Sequence, residues 1–415
     1  MGKKEKAPCL RFKDTNGKDY PAWEQRKLEE LASKFTGGGT PNTSNPNYWN
    51  GEIPWIQSSD LKEDDVLSLT VKKHISQEGL KNSATKIVPK NSLVIVTRVG
   101  VGKLVVNTQE IATSQDFLSL SGIKGDSRFL AYSLYSLLKK ITRRVQGTSI
   151  KGITKTDFLK ETILVPALEE QEKISSCMVE VDKLITLHQR KLETLKKLKR
   201  TLLQKMFPKK GQLKPELRFP GFTNDWEQRK LGELAATFGY GLNAAAKSFD
   251  GRHKYIRITD IDESTRRFLC SSLTSPDIDF EEAAPYRLAE GDVLFARTGA
   301  SVGKSYRYVR TDGEVYFAGF LIRFRFKDKE AAEFVFQNSL TAKFQNFIKT
   351  SSQRSGQPGI NAQQFSGYQI AVPNSEERER IGSFFSRLDT AITLHQRKLE
   401  TYKKLKKSLL QKMFI

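Results

Sequence analysis

An internal repeat constrains this chain of 415 residues more than any other feature of its sequence. The segment WEQRKLEELA at residues 23–32 returns as WEQRKLGELA at residues 226–235, with one difference in ten positions. The segment ITLHQRKLETLKKLKRTLLQKMF at residues 185–207 returns at residues 392–414 with three differences in twenty-three positions. Self-similarity at a fixed period is typical of a chain that folds one unit more than once. The repeat, with a period of about 205 residues, therefore predicts two copies of one structural unit.

Between the near-identical blocks the two copies share only a skeleton. In the alignment of the two copies, the Trp-Ile pair and the Asp of residues 55–60 match the Tyr-Ile pair and the Asp of residues 255–260. Farther along, VIVTRVG at residues 94–100 aligns with VLFARTG at residues 293–299. A frame that repeats while its contents vary is expected of two domains that share a fold, read different targets and are joined by equivalent connectors.

The variable regions show the pattern of short strands. Residues 92–97, 117–120, 292–296 and 319–326 are rich in β-branched or aromatic residues and are bounded by Gly, Asn or Asp. Runs of this kind predict β-strands. We therefore expect an α+β fold with two mixed α/β domains.

The repeated carboxyl-terminal blocks show helical periodicity instead. Each begins after a Val-Pro pair, at residues 165–166 and 372–373, and proline disfavours helix in the residue before it. We predict helices over about residues 168–207 and 375–413, each roughly 60 Å long. Apolar residues recur at alternating steps of four and three, which predicts a coiled-coil seam. The seam residues are Ile174, Met178, Val181, Ile185, His188, Leu192 and Leu195 in the first helix, and Ile381, Phe385, Leu388, Ile392, His395, Leu399 and Tyr402 in the second.

Two copies of one seam in a single chain are expected to pair with each other, because an isolated amphipathic helix of this kind is unstable alone. Since the chain must return, we expect an antiparallel coiled coil with the domains near its opposite ends. The predicted segments are an amino-terminal arm at 1–20, a first recognition domain at 21–166, a central helix at 167–208, a linker at 209–222, a second recognition domain at 223–373 and a carboxyl-terminal helix at 374–415.

Composition narrows the partner. Lys and Arg total 69 against 47 Asp and Glu, a net charge of +22, which favours a polyanion such as nucleic acid. Charge alone leaves open an acidic protein or a membrane surface as the partner. The sequence has neither a run of eighteen apolar residues nor an apolar segment near its amino terminus. We therefore predict a cytoplasmic protein that does not bind a membrane.

Three segments resemble catalytic motifs without completing them. Residues 299–305 look like a phosphate-binding loop, but three residues stand between the glycines where the motif needs four. Residues 45–48, Asn-Pro-Asn-Tyr, lack the second proline of the box that holds a flipped base in amino-methyltransferases. The carboxylates of residues 277–282 lack the following lysine of a metal nuclease, and we interpret them as a solvated loop. The sequence thus predicts no catalytic site.

Two histidines, His188 and His395, occupy equivalent positions in the predicted seam. A metal site is one interpretation. Because no Cys, Asp or third His stands at a matching spacing, we favour polar residues that set the register of the two helices. A contact with a partner protein is a further alternative.

The arrangement resembles the specificity subunits of type I restriction-modification systems, and the resemblance covers essentially the whole chain. It rests on residues 23–31, the Gly-Gly-Thr-Pro of residues 38–41, YWNGEIPWI at 48–56 and the LLQKMF helix end at 202–207. The second domain departs from this pattern, because it has Gly-Tyr-Gly-Leu at residues 239–242 where Gly-Gly-Thr-Pro would stand. Its first loop need not act as the first domain's does.

The resemblance implies a function and a set of partners. Each domain would read one half of a bipartite, asymmetric target in double-stranded DNA, and the helices would set the spacer and dock two methyltransferase subunits. Two restriction or translocase subunits would join the full complex. No cofactor is expected on this chain, since S-adenosylmethionine, ATP and Mg²⁺ would bind partner subunits. The competing interpretations are a stand-alone restriction-modification polypeptide and a basic coiled-coil scaffold.

Side chains that meet base edges and phosphates are abundant in the loops of both domains. Arg reads guanine, Asn and Gln read adenine, and Ser and Thr read either. Glycine-rich turns also let the backbone approach DNA. The DNA-binding candidates are Gly38, Gly39, Thr40, Gln57, Ser58, Ser59, Lys62, Arg98, Lys103, Gln146, Thr148 and Lys151 in the first domain, and Arg257, Thr259, Arg297, Lys304, Gln353, Arg354, Ser355 and Gln357 in the second.

Overall fold

The computed structural model of the chain describes residues 8–145, 152–353 and 358–414. The chain divides into two units. The first comprises the residues up to Leu187 together with those from Lys398 onward, and the second runs from His188 to Arg397. Each unit therefore contains one of the predicted domains, part of the helix that follows it and part of the other long helix.

Two four-stranded sheets and one strand pair make up the first domain. The first sheet is antiparallel, and its strands in spatial order are Ala32–Gly37, Phe117–Ile123, Leu93–Val96 and Leu104–Val106. The second sheet contains Lys73–Ile75, Ile53–Ile56, Ile111–Thr113 and Ile87–Val88, in which the two central strands are parallel. The remaining pair joins Glu24–Lys27 to Thr162–Val165. The helices of this region are Gln77–Lys81, Ser127–Val145 and Lys155–Lys160.

The second domain repeats the antiparallel sheet and the basal strand pair, but two separate strand pairs stand in place of the second four-stranded sheet. Its antiparallel sheet contains Ala235–Tyr240, Leu321–Phe326, Asp292–Ala296 and Ser305–Arg307, in the same spatial order as in the first domain. Lys254–Ile256 pairs with Val315–Phe317 in parallel, Ala246–Ser248 pairs with Thr274–Pro276, and Glu227–Lys230 pairs with Gln369–Val372. The helices are Leu231–Leu234, Lys329–Ser339, Ala342–Ser351 and Ala362–Ser366. The chain is thus an α+β protein with an internal repeat.

The strand registers correct one detail of the alignment between the copies. Sequence alone set residues 94–100 beside 293–299, but the central strands superpose Leu93–Val96 on Val293–Ala296, because their partners on the neighbouring strand correspond in that frame. The pairing was wrong by one residue. The physical reason is that the turn after this strand is one residue longer in the second domain, so Arg297 corresponds to Thr97 and not to Arg98.

Both long helices begin where the Val-Pro pairs predict. The first spans Leu168–Lys205 and the second Ser375–Met413. The first ends two residues before the predicted position, and Pro208 follows shortly after it. All of the seam residues lie buried or half-buried.

The helices run antiparallel within the second unit. Lys199 Nζ donates to both carboxylate oxygens of Asp389 at 2.6 and 2.8 Å, and the Nδ1 atoms of His188 and His395 lie 2.8 Å apart. From His188 to Lys199 the residue number rises along the first helix, while that of the partner falls from His395 to Asp389 along the second, as in an antiparallel pair. At this distance one imidazole nitrogen donates and the other accepts.

The same contact recurs in the first unit with the two helices exchanged. Lys406 pairs there with Asp182 at 2.6 Å, and these residues are the repeat counterparts of Lys199 and Asp389. Met413 and Phe414 join Ile174 and Met178 in one hydrophobic core. The repeat in sequence therefore becomes a repeat of the helix-to-helix contacts.

A buried carboxylate ties each domain to the start of its long helix. In the first unit Glu170 accepts hydrogen bonds from the Arg11 guanidinium at 2.7 and 3.0 Å and from Trp23 Nε1 at 3.2 Å. In the second, Glu377 accepts the same bonds from Arg218, at 2.6 and 2.8 Å, and from Trp226, at 3.1 Å. Both carboxylates are shielded from solvent, so these partners supply the hydrogen bonds that water would otherwise make. We call each set of three residues a junction triad.

Of the helices within the described ranges, none has the length and apolar character required to cross a bilayer.

Candidate nucleic-acid interface

The first loop of the first domain is shaped by glycines that pack against a strand. Gly39 donates its backbone N–H to Thr113 O at 2.8 Å, and Trp55 Nε1 donates to Gly39 O at 3.0 Å. A Cβ at Gly38 would lie 2.0 Å from Ser114 O, and a Cβ at Gly39 would lie 2.4 Å from Thr85 N. Only glycine fits at either position, so these two residues shape the loop through their backbone.

The second domain builds the same loop from a different sequence. Leu242 N donates to Phe317 O at 2.8 Å, and the Tyr255 hydroxyl donates to Leu242 O at 2.9 Å. A Cβ at Gly241 would lie 2.3 Å from Ala318 O. These contacts match Gly241 and Leu242 to Gly38 and Gly39, so the segment in the motif's place begins at Gly241 and the sequence alignment, which began it at Gly239, was wrong by two residues. The second domain keeps the backbone arrangement of the motif and changes the side chains that it carries.

The turn after the central strand is tied to two other segments in each domain. In the first, Thr97 N donates to Asp116 O at 2.8 Å and Ile153 N donates to Thr97 O at 2.9 Å. In the second, Arg297 N donates to Phe320 O at 3.0 Å and Ile360 N donates to Arg297 O at 2.9 Å.

These contacts gather several of the candidate segments at one edge of the sheet in each domain. We call this surface the loop edge. It comprises residues 38–41, 97–103, 114–116 and 152–153 in the first domain, and residues 241–242, 297–304, 318–320 and 358–360 in the second. Ser58 lies beside it in the first domain, since a Cβ at Gly100 would lie 3.9 Å from Ser58 Cβ.

Two of the candidate cations are held in ion pairs. Lys304 Nζ lies 2.8 Å from Glu263 Oε2 and donates to Ile261 O at 3.2 Å, which leaves its side chain only 10% exposed. The hydrogen bond from Lys304 lowers the pKa of the Glu263 carboxyl. Arg257 donates to both oxygens of Asp260 at 2.8 and 3.0 Å, and this bond raises the pKa of its guanidinium. Both cations therefore organise the protein surface as well as charging it.

The other described candidates differ in exposure. Arg98, Lys62, Ser59, Thr259 and Gln353 are exposed, and Thr40, Gln57, Ser58, Lys103 and Arg297 are half-buried. Thr40 hydrogen-bonds to Gln115, and Gln57 Nε2 donates to Ser59 Oγ at 3.0 Å. Gln146, Thr148, Lys151, Arg354, Ser355 and Gln357 lie outside the described residues. Their flanking residues Gly152, Ile153, Pro358 and Gly359 are part of the loop edge.

Sequence reasoning missed the aromatic residue at the centre of the second loop edge. Phe320 is 62% exposed, and Tyr240, at the end of the neighbouring strand, is 44% exposed. The Arg297 guanidinium lies over the Tyr240 ring, 4.8 Å from its centroid. Both rings stand in segments that the sequence analysis had marked, but it looked for hydrogen-bonding side chains and passed over apolar ones.

No group of three His, Cys, Asp or Glu side chains is placed to hold a metal ion in the part of the chain that the structure describes.

The sequence matches the family described as "Type I restriction modification DNA specificity domain" over residues 21–197 and again over residues 223–404. The type I restriction enzyme MjaIX specificity subunit of Methanocaldococcus jannaschii is 26% identical over 243 residues, which are 54% of this chain and 54% of that protein. The MjaVIII specificity subunit of the same organism is 22% identical over 96% of this chain and 94% of its own length.

Among solved structures, the type I restriction-modification S subunit from M. genitalium superposes with a TM-score of 0.66 at 15% identity, covering 99% of both chains. At this identity the likeness concerns the fold. The chain spans about half the length of the first of the two M. jannaschii relatives and nearly all of the second. The two family matches together cover most of the sequence and coincide with the two repeats found from the sequence itself. The chain belongs to the family of type I restriction-modification DNA specificity domains and carries that domain twice.

Proposed function

We propose that this chain is a DNA sequence-recognition subunit of a type I restriction-modification complex, in which each domain reads one half of a bipartite, asymmetric target. The single observation that carries the proposal is the contrast within the repeat. Two sheets of equal topology present two loop edges whose side chains differ. A pair of equal scaffolds with unequal loops suits one molecule that reads two different half-sites. The net charge of +22 supplies the attraction to the phosphate backbone.

The proposed contacts lie on the loop edges and beside them. Exposed cations such as Arg98 and Lys62 are suited to phosphates or guanine edges, and exposed amides and hydroxyls such as Gln353 and Thr259 to other bases. The paired side chains of Arg257 and Lys304 would act mainly by fixing the surface on which the others stand.

The chain itself is proposed to be non-catalytic. No complete nucleotide, methyltransferase or nuclease motif is found in its sequence. Methyl transfer would come from two methyltransferase subunits docked on the long helices, and DNA cleavage from two restriction or translocase subunits. S-adenosylmethionine, ATP and Mg²⁺ would bind those partners, and the complex would act in the cytoplasm.

The test is to map methylated bases genome-wide in cells that carry this chain with its partner methyltransferase. The expected result is one asymmetric, bipartite sequence with a fixed gap, which disappears when this chain is removed. Methylation without sequence preference would favour the scaffold interpretation. Purified chain supplied with S-adenosylmethionine, ATP and Mg²⁺ should neither methylate nor cleave DNA, and turnover above background would favour the stand-alone enzyme.

The helices are proposed to set the gap between the half-sites. Inserting four residues after Thr194 lengthens the first helix by about 6 Å, which corresponds to one or two base pairs. Methylation mapping of this variant should find both half-sites unchanged and the gap larger. The original gap, or an altered half-site, would contradict the role of the helices as a spacer.

A further inference from the structure

The two most exposed large apolar side chains in the described ranges both lie on a loop edge, one in each domain. Val99 is 70% exposed and Phe320 is 62% exposed, and the next value is 54% for Leu168. Val99 stands in the turn after the strand Leu93–Val96. Phe320 stands in the turn before Leu321–Phe326. These strands occupy adjacent places in equivalent antiparallel sheets, so the two turns open on the same side of the fold.

The backbone holds Phe320 in place. Its carbonyl accepts the Arg297 N–H at 3.0 Å, and the next residue, Leu321, donates its N–H to Ala318 O at 2.9 Å. Gly319, on its other side, donates its N–H to Leu242 O at 2.8 Å. These hydrogen bonds on both sides of Phe320 fix its ring in an exposed position. The turn therefore presents the ring at the loop edge, among the residues that the proposed function assigns to DNA.

An arginine accompanies each of these apolar side chains. Arg98 precedes Val99 and is exposed. In the second domain the Arg297 guanidinium stacks on Tyr240, whose hydroxyl accepts the Ala362 N–H at 3.2 Å. Stacking fixes the plane of the guanidinium, as bidentate recognition requires. Arginine reads guanine in the major groove, and an apolar side chain reads the 5-methyl group of thymine.

We infer that Val99 and Phe320 are specificity-determining residues that contact the 5-methyl group of a thymine in the major groove, one in each half-site. This inference rests on the proposed function. The residue that corresponds to Phe320 in the first domain is Asp116, which cannot make an apolar contact. Val99 and Phe320 therefore occupy different positions on their respective loop edges. The thymine methyl groups that they contact would lie at different positions in the two half-sites.

The experiment measures the affinity of the complex of this chain with its methyltransferase for duplexes of the mapped target. In each duplex one thymine is replaced by uracil, which removes the methyl group and leaves the base-pairing edge unchanged. For the unaltered complex, one replacement in each half-site should weaken binding about four-fold, the value of one buried methyl group. The variants are Val99→Ala and Phe320→Ala, with Leu213→Ala as a control at an exposed position in the linker.

Val99→Ala should abolish the effect of uracil in one half-site only, and Phe320→Ala in the other only, while Leu213→Ala abolishes neither. Thermal unfolding should be unchanged in all three, since these side chains are exposed. The inference is overturned if no uracil replacement matters, if the variants keep their sensitivity to uracil, or if a mapped half-site contains no A·T pair. A complex that shows no sequence preference at all would contradict the proposed function instead, which separates the two failures.

Discussion

The two copies agree closely in the long helices and differ at the loop edges. In the helices the same side chains meet in both units: Lys199 with Asp389, and Lys406 with Asp182, each at 2.6 Å. At the loop edges, side chains at equivalent positions make different contacts. Lys304 is locked to Glu263, whereas its counterpart Lys103 makes no ion pair with any residue that the structure describes.

The difference follows from what each region contacts. In the helices a change of Lys199 in one copy would need a matching change of Asp389 in the other copy. The same holds for Lys406 and Asp182. A loop residue that meets DNA has no such counterpart within the chain. Identity between the copies therefore marks these contacts within the protein, and under the proposed function divergence would mark the surface that faces the target.

The largest expected effect comes from removing one copy altogether. In a fragment that begins at Lys209, which keeps Arg218 of the junction triad, the block at residues 392–414 is available to take the place of residues 185–207 in a second molecule. Asp389 of one molecule would then meet Lys406 of the other, and Phe414 would replace Phe207 beside Trp226 and Phe385. We expect a dimer by analytical ultracentrifugation, which with its methyltransferase reads an inverted repeat of one half-site.

The Lys406→Glu variant of this fragment is the matched control, because it sets like charges against each other twice in the dimer. It should shift the equilibrium toward monomer. A fragment that stays monomeric at micromolar concentration would show that the helix contacts of the two copies are not interchangeable.

The junction triads should give the next largest effect, equal in the two units. Replacing Glu170 or Glu377 with Ala leaves a poorly hydrated arginine without its partner, and breaking such a buried pair costs about 3 kcal/mol. Thermal or urea unfolding of the full chain measures the loss. Glu376→Gln changes an exposed neighbour and should cost less than about 0.5 kcal/mol. If only one of the two buried carboxylates matters, the junctions are not equivalent.

A smaller effect is expected at the lysines of the helix pairs. Lys199→Met should cost about 2 kcal/mol, because it removes a charged hydrogen-bonding partner from a largely buried site. Lys406→Met should cost about 1 kcal/mol more, since Lys406 Nζ also donates to Asp64 O at 2.6 Å. Lys183→Met, at an exposed pair, is the control with almost no effect. Urea denaturation that gives the reverse order would contradict the assigned contacts.

The smallest effect separates the two loop edges. Lys103→Ala should reduce the slope of log affinity against log salt by about 0.9, the value of one phosphate contact, without changing stability. Lys304→Ala should leave that slope unchanged and lower stability by about 1 kcal/mol, because Lys304 is held by Glu263. Equal salt slopes in the two variants would mean that the ion pair opens on DNA.

The sequence alone predicted the elements whose signals are local. The Val-Pro pairs located the starts of both long helices, and the four-three spacing of apolar residues located their buried face. The strand Asp292–Ala296 was also predicted with its observed bounds. Proline geometry and side-chain periodicity act over a few residues, so one sequence suffices to read them.

Contacts between distant segments were harder to predict. The junction triads join residues 159 apart, and nothing local shows that Arg11 meets Glu170. A signal did exist, because the Arg, the Trp and the Glu all recur in the second copy. The one-residue error at the central turn has a different origin: a turn of different length hides the true register until the hydrogen-bonded partner strand is known.

The strand pair at the base of each domain has an evolutionary consequence. Glu24 pairs with Val165 and Glu227 with Val372, so the chain enters and leaves each domain at neighbouring points. The flanking strand has the same sequence, EQRK, in both copies. An exchange of the first domain between these strands would keep the path of the chain, but the new domain would have to preserve the contacts that Asp64 and Phe129 make with the second long helix. Under the proposed function, such an exchange would change the half-site that one domain reads and leave the other half-site as it was.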